Sequence, residues 1–287
     1  MPTMPTEIMT PLIAAEEGAG SSAGVVMRFK PTDPKYAKDP TNYLPNKTSL
    51  WTHPLESDGF FLEHCNIRSE CTTMAKVLST LDQGAPRDKK ALAEWEIASL
   101  RAWFASHNTH LQEHHMHEDG IFTPFMQTRI KLPEELTTDH VQLLSLRKEI
   151  MTILEGPPFY ARTLLEAFEK YQKMLFAHLK QEEEIGLPLL RAYFTPEEVA
   201  PKKQEILDRI APHVLGGVCY HLDAEGGSEG AAEQFMAQQG IPFFDALSYY
   251  YFAFSMRQTY YDATQVHIDA LLAGTPPPPP KKDCNYV

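Results

Sequence analysis

Residues 107 to 119 read HNTHLQEHHMHED and hold five of the chain's twelve histidines: His107, His110, His114, His115 and His117. Two acids, Glu118 and Asp119, follow at once. Imidazole nitrogens and carboxylate oxygens together suit transition metals, iron first and also manganese or zinc. On a helix His114 and Glu118 stand one turn apart and share a face, as do His110 and His114. His115 and Asp119 form a competing register at the same spacing. A second pair of this kind, His178 and Glu182, lies in HLKQEEE. Two helical pairs that each present nitrogen and oxygen together are parts from which a helix bundle builds a metal site in its core.

The elements that position these residues follow from apolar periodicity. Phe60, Phe61, His64, Ile67, Cys71, Met74, Val77, Leu78 and Leu81 make one stripe, which predicts a first helix from Asp58 to about Leu81. QGAPRD breaks it. A second helix is expected from near Asp88 to about Met126, with Gly120 and Pro124 bending or ending it beyond the histidine cluster. Thr137 or Thr138 is expected to cap a third helix that runs through Leu154. A fourth runs from about Ala161 to Ala192, interrupted at Gly186 and Pro188. Thr195-Pro196-Glu197-Glu198 reads as a helix start, with threonine as cap, proline in the first position and acids in the first turn. Residues 213–240 carry GG, GGSEG and QQG and are expected to be a loop. The segment DALSYYYFAFSMRQTYYDATQVHIDALL, with its aromatic run Tyr249–Phe254, reads as a buried helix.

These elements predict an all-α protein, an up-down-up-down four-helix bundle over residues 51–200 with a helical C-terminal extension over 201–272. Residues 1–50 read as an extended segment and 273–287 as a proline-rich tail. Each bundle helix carries one histidine on its apolar stripe: His64, His114, His140 and His178. Two helices add a carboxylate one turn on, Glu118 and Glu182. Bridging carboxylates stabilise two neighbouring cations by spreading negative charge between them. Trp103, Leu111, Phe122, Leu144, Leu175 and Leu179 are candidate walls of a dry pocket. His107, His110 and His117 read as exposed or outlying, and Glu183 and Glu184 as a solvated face.

Taken in order, EHCNIR, HHMHED with IFTPFM, DHVQLL and HLKQEEEIGLPLL resemble the hemerythrin-like, or HHE cation-binding, domain over about residues 55–195. The resemblance implies a four-helix bundle around a non-haem di-iron centre that binds dioxygen or reports iron and oxygen. It implies His64, His114, Glu118, His140, His178 and Glu182 as ligands. Oxygen carriers of that family place a second histidine one turn after the third-helix ligand, where this chain has Leu144. Some iron-sensing relatives place an extra acid just after the second-helix histidine; here that residue is His115, the candidate seventh ligand.

The totals bound the alternatives. A net charge of −12 with no run of Lys and Arg argues against nucleic acid and anionic membrane as partners. No apolar stretch reaches the ~20 residues of a membrane span, and the N-terminus has no basic region of a secretory signal. Four cysteines without C-x-x-C pairing read as reduced thiols of a cytoplasmic protein. No nucleophile elbow, P-loop or dinucleotide fingerprint is present. The first expectation is therefore an iron-binding protein rather than an enzyme, with dioxygen or peroxide as its small ligand. The second is a di-iron redox enzyme of peroxidase or oxidase type. The third is a structural bundle with a zinc or vestigial site.

Overall fold

The computed structural model describes residues 51, 53–84, 91–130, 132–157, 159–224, 231–238 and 254–279. The expected N-terminal segment, residues 249–253 of the aromatic run, Cys284 and residues 280–287 of the tail lie outside the described residues. Helix α1 spans Gly59–Gly84, and Asp58 caps it by accepting the Phe60 N–H at 3.1 Å. Helix α2 runs over Glu94–His117, widens at Glu118–Phe122 and resumes over Thr123–Gln127. Helix α3 spans Glu135–Glu155. Helix α4 runs over Ala161–Gln181, widens at Glu182–Gly186 and ends with Leu187–Tyr193. No strand occurs among the described residues, and none of their helices is long and apolar enough to cross a membrane.

Short connections fold these four helices up, down, up and down. Helix α4 packs along α1 and α3, and α2 along α3. The stripe read from the sequence is the core: Ile67, Met74, Leu78, Leu100, Trp103, Leu111, Leu143, Ile150, Leu164, Phe168, Tyr171, Leu175 and Leu179 are buried in one cluster. A second cluster lies beyond the widened turns, where Met126, Leu187 and Leu190 surround Trp51. The Trp51 indole N–H donates to the Phe194 carbonyl at 2.9 Å and ties the entering chain to that end.

Several boundaries differ from expectation, and α2 starts at Glu94 rather than near Asp88, with Ala93 extended before it. Helix α3 starts at Glu135, ahead of Thr137 and Thr138. Pro133 and Glu134 open the turn, because their carbonyls take the N–H groups of Leu136 and of Thr137 and Thr138. The Thr137 hydroxyl donates back to Glu134 and is not a cap. The prolines of α2 and α4 do not end their helices either; both helices continue through a wider turn.

Helix α5, Pro196–Leu207, begins with a capping box: Thr195 Oγ1 accepts the Glu198 N–H at 3.3 Å, and Glu198 accepts the Thr195 N–H at 2.9 Å. The glycine-rich stretch expected as a loop instead holds two helices, α6 over Pro212–Ala224 and α7 over Ala231–Gln238. Residues 254–260, a wide turn at Tyr261–Gln265 and Val266–Ala273 form α8, which stops at Gly274 with φ 66°, the left-handed helix end that glycine favours. Helix α8 lies along both α1 and α2, and its Ile268 and Leu271 join the main core. Full burial of each such side chain contributes about 1.5–3 kcal/mol, so the C-terminal helices share in stabilising the bundle.

The two glycines that suggest a loop serve a helix crossing. A Cβ on Gly216 would collide with the backbone carbonyl of Met256 in α8, and one on Gly217 would press on the Tyr260 ring at 3.0 Å. Gly120 has open space around it. Gly216→Ala is therefore expected to lower stability by about 1–3 kcal/mol through overpacking. Gly120→Ala is expected to be neutral or to stabilise by about 0.5–1 kcal/mol through helix propensity. Thermal unfolding followed by circular dichroism reads both; equal behaviour of the two variants would refute the close crossing.

Candidate metal centre

One buried layer of the bundle gathers donor atoms from all four helices. Two groups of ligand atoms each lie within 4.8 Å of one another: His64, His114, Glu118 and Glu182 in one, His115, Glu118, His140 and His178 in the other. Helix α1 gives His64, α2 gives His114, His115 and Glu118, α3 gives His140, and α4 gives His178 and Glu182. Glu118 belongs to both groups. Its Oε1 is 3.2 Å from His114 Nε2, and its Oε2 is 3.5 Å from His140 Nε2. Glu182 straddles them in the same way: Oε2 is 3.5 Å from His64 Nε2, Oε1 is 3.2 Å from His178 Nε2. Each carboxylate thus turns one oxygen toward each group.

The atoms that face inward lack ordinary partners. His64 Nε2, His114 Nε2, His115 Nε2, both Glu118 oxygens and Glu182 Oε2 are buried without a protein hydrogen bond. His140 Nε2 and His178 Nε2 point at each other across 3.1 Å. Buried polar atoms left in this state cost about 1–3 kcal/mol each. Convergent lone pairs of nitrogen and carboxylate oxygen fit a transition-metal cation, and two groups that share carboxylates fit a pair.

The outward nitrogens of His64 and His140 are held by carboxylates. His64 Nδ1 donates to Glu183 at 3.0 Å, and Arg68 grips the same carboxylate at 2.6 and 2.8 Å. His140 Nδ1 donates to Asp119 at 3.0 Å, and His178 Nδ1 lies 3.8 Å from Asp139. A donor bond at Nδ1 fixes the tautomer that leaves the Nε2 lone pair inward, as metal-binding histidines require.

The helices reach this geometry through matched local sequence. In both α2 and α4 a histidine is followed after four residues by glutamate and after six more by proline: His114, Glu118, Pro124 and His178, Glu182, Pro188. A proline ring crowds the carbonyl one turn back. The wide turn relieves this, with Thr123 N–H reaching back to Glu118 O and Leu187 N–H to Glu182 O. Such π turns are frequent at functional sites. Each glutamate is the first residue of its turn.

Electrostatics follow from burial. Burial, reinforced by the Glu182 charge, pushes the Glu118 carboxyl well above the usual carboxylate range. Burial acts on Glu182 in the same sense, but hydrogen bonds from His140 and His178 hold it well below that range. Burial and nearby His64 press His114 well down; burial with His140 and His178 beside it takes His115 down to about 2. These two imidazoles are neutral, with lone pairs available. Without a cation, the proton on Glu118 keeps the two carboxylates from repelling.

All seven residues expected as ligands lie in this layer. The rival register does not: His115 is in the layer, whereas Asp119 stands outside it on His140. Leu144 is 41% exposed on α3 and is no wall of the site; the buried face of that helix carries His140, Leu143, Arg147 and Ile150. Leu111, Leu175 and Leu179 are fully buried, and Trp103 stacks on His107 at 4.9 Å, away from the donor layer. Glu183, expected on a solvated face, has a side chain only 12% exposed, held by His64 and Arg68. His107, His110 and His117 are buried rather than exposed.

A second polar layer lies beyond the reach of the motifs. Glu70 Oε2 accepts from His107 Nδ1 at 2.8 Å and from His110 Nδ1 at 3.2 Å; His107 Nε2 lies 2.7 Å from the Tyr171 hydroxyl. His110 Nε2 donates to Glu63 at 2.7 Å. Burial disfavours a charged His110, yet Glu70 and Glu63 raise it to about 10, so it is an imidazolium between two carboxylates. The sequence shows its two histidines within the cluster at 107–119, and its acid, Glu70, beside the apolar stripe of Ile67, Cys71 and Met74, but not that they meet. Cys65, Cys71 and Cys219 form no disulfide.

Comparison with known proteins agrees with this arrangement. Residues 63–190 match the hemerythrin HHE cation binding domain. The F-box/LRR-repeat protein 5 of Bos taurus is 28% identical over 160 residues, which are 54% of this chain and 22% of that protein. The proteins of that name from Mus musculus and Pongo abelii are 27% identical over 160 residues with the same coverage. The chain thus spans about a fifth of the length of these relatives. No solved structure matches it significantly.

The raised value for Glu118 has a pH signature. A group whose folded-state pKa lies above its unfolded value lends stability that is complete below the unfolded pKa and is lost as pH rises through the folded one. Glutamine mimics the neutral acid. In metal-free protein Glu118→Gln should raise stability at neutral pH by on the order of 1–3 kcal/mol, read as a higher melting temperature, and its advantage over wild type should shrink toward acid pH. A metal-free variant that melts below wild type at neutral pH would contradict this.

Proposed function

Because residues 63–190 form a hemerythrin-like HHE cation-binding domain, we propose that this chain holds two irons in its bundle core and serves as a di-iron protein that binds dioxygen or senses and stores iron. The observation that carries the reading is the pair of carboxylates, Glu118 and Glu182, each with one oxygen toward each of two donor groups. A single-cation site has no use for that duplication. In this reading His64 and His114 serve one iron, and His115, His140 and His178 the other.

When bound, such a pair supplies reversible one-electron steps to a small oxidant such as dioxygen or peroxide. The chain's own residues set the conditions. Glu183 and Asp119 orient the imidazoles of His64 and His140 from outside. Leu111, Leu143, Leu175 and Leu179, all fully buried, keep water from the layer. Glu118 would hold a cation as its ionised form, giving up any proton it carries, because a metal-bound carboxylate is deprotonated.

His115 distinguishes this site from an oxygen carrier's. It comes from α2, and its ring stacks on His140 at 4.0 Å, while Leu144 is exposed. The third nitrogen of that group is thus supplied by a neighbouring helix rather than by a second histidine of α3. A di-iron redox enzyme is the second reading, favoured by a pocket that reaches His114 and Glu118.

Protein loaded anaerobically with ferrous iron should bind about two irons per chain, melt at higher temperature than the metal-free form, and gain near-ultraviolet and visible charge-transfer bands on exposure to air. His178→Ala should lower the iron content and the iron-dependent rise in melting temperature together. Unchanged iron content in that variant, or one zinc per chain with no response to oxygen, would overturn the reading.

A further inference from the structure

Between the bundle and the C-terminal helices lies a pocket of about 90 Å³. Phe60 and Phe122 line it on the bundle side, beside His114 and Glu118. Ile206 and Leu207 of α5, Leu215 of α6 and Phe235 of α7 line it on the other. This second wall lies wholly outside the residues 63–190 that match the domain family. None of His115, His140 or His178 reaches the pocket. It therefore opens on His114 and on Glu118, the carboxylate that both groups share.

The charged groups on its walls outside the donor layer, Asp58, Glu63, Glu113 and Lys203, are already engaged. Asp58 accepts from His53 at 3.2 Å and from the Phe60 N–H, and pairs with Lys203 at 3.6 Å. Glu63 holds His110, and Glu113 accepts the Ala211 N–H at 3.0 Å. Little is left to balance an ionic ligand, while most of the remaining surface is aromatic and aliphatic. Apolar cavities of about 150 Å³ take up benzene, and a water needs about 10–15 Å³. The space is more than dioxygen requires and suits a compact body of about four to six carbons.

We propose that this pocket is a binding site for a small uncharged molecule, apolar except for one polar group such as a hydroxyl, held with that group toward His114 and Glu118. This deepens the di-iron reading by giving the His64 and His114 side a substrate class. The site itself is a property of the protein wall and exists without metal. Most ligand sites share its form, an apolar concavity with a few convergent polar groups.

The test uses cyclopentanol, with cyclopentylamine and cyclopentanecarboxylate as charged arms, on full-length protein bearing labelled methyl groups. In iron-free protein, cyclopentanol should shift the methyl resonances of Ile206, Leu207 and Leu215 saturably, and both charged analogues should bind at least tenfold more weakly. Leu215→Phe should weaken cyclopentanol at least tenfold. Phe235→Ala, which enlarges the same space, should favour cycloheptanol, and circular dichroism checks that both variants fold. In iron-loaded protein, cyclopentanol should perturb the charge-transfer bands. Unmoved methyl resonances in the iron-free protein, or tighter binding of a charged analogue, would overturn the proposal. Protein that shifts those resonances but takes up no iron would sink the di-iron reading and leave the binding site standing.

Discussion

A layer of nitrogen and oxygen donors sealed inside a hydrocarbon bundle is the constraint on which this structure turns. Each buried donor without a partner costs about 1–3 kcal/mol, and two carboxylates facing one another cannot both be ionised cheaply at short range. The layer is tolerable only with something positive at its centre, a proton on Glu118 or cations among all seven side chains. Everything that keeps it dry raises that demand. Leu111, Leu143, Leu175 and Leu179 exclude the water that would otherwise solvate the donors. Binding and folding would be linked in the di-iron reading: the donors come from four helices, and a cation that held them would hold the bundle.

The rest of the fold can be understood as positioning. Two helices solve the same local problem in the same way, placing histidine and glutamate one turn apart and then widening before a proline. The extra residue of each wide turn shifts the later apolar stripe, so that the segments beyond it face the second core around Trp51. Outer carboxylates then lock ring orientation from the solvent side. The C-terminal helices are part of this scheme, since α8 fills the seam along α1 and α2 and α6 crosses it on two glycines.

Much of this is legible in the chain, for identifiable reasons. The bundle helices show themselves because apolar residues recurring every three or four positions gather on one side of a helix and of no other regular element. The donor residues stand out because histidine and acid on such a stripe break its pattern. Leu144, one turn after His140, reads as a wall of the site in the sequence, but the packing of α3 turns Leu143, Arg147 and Ile150 inward and leaves Leu144 exposed. The wide turns look like breaks in the sequence, because glycine and proline signal both. Gly216 and Gly217 suggest a loop locally, whereas their reason lies in Met256 and Tyr260, some forty residues on. Glu183 and Asp119 look like ordinary surface charges beside a ligand. Only the packing of α1 against α4, and of α2 near α3, reveals that each faces an imidazole.

The two halves of the donor layer are not equivalent, and the difference has a physical origin. The half with His115, His140 and His178 is closed by packed rings, His115 lying flat on His140 and edge-on to His178. The half with His64 and His114 has fewer nitrogens and borders the pocket under α5, α6 and α7. Fewer protein donors leave more of a cation's coordination to an outside ligand, and the bordering space admits one. In the di-iron reading that asymmetry would leave one position held tightly and the other open to exchange. In this chain it arises from which helix supplies the extra histidine and from where the C-terminal helices lie.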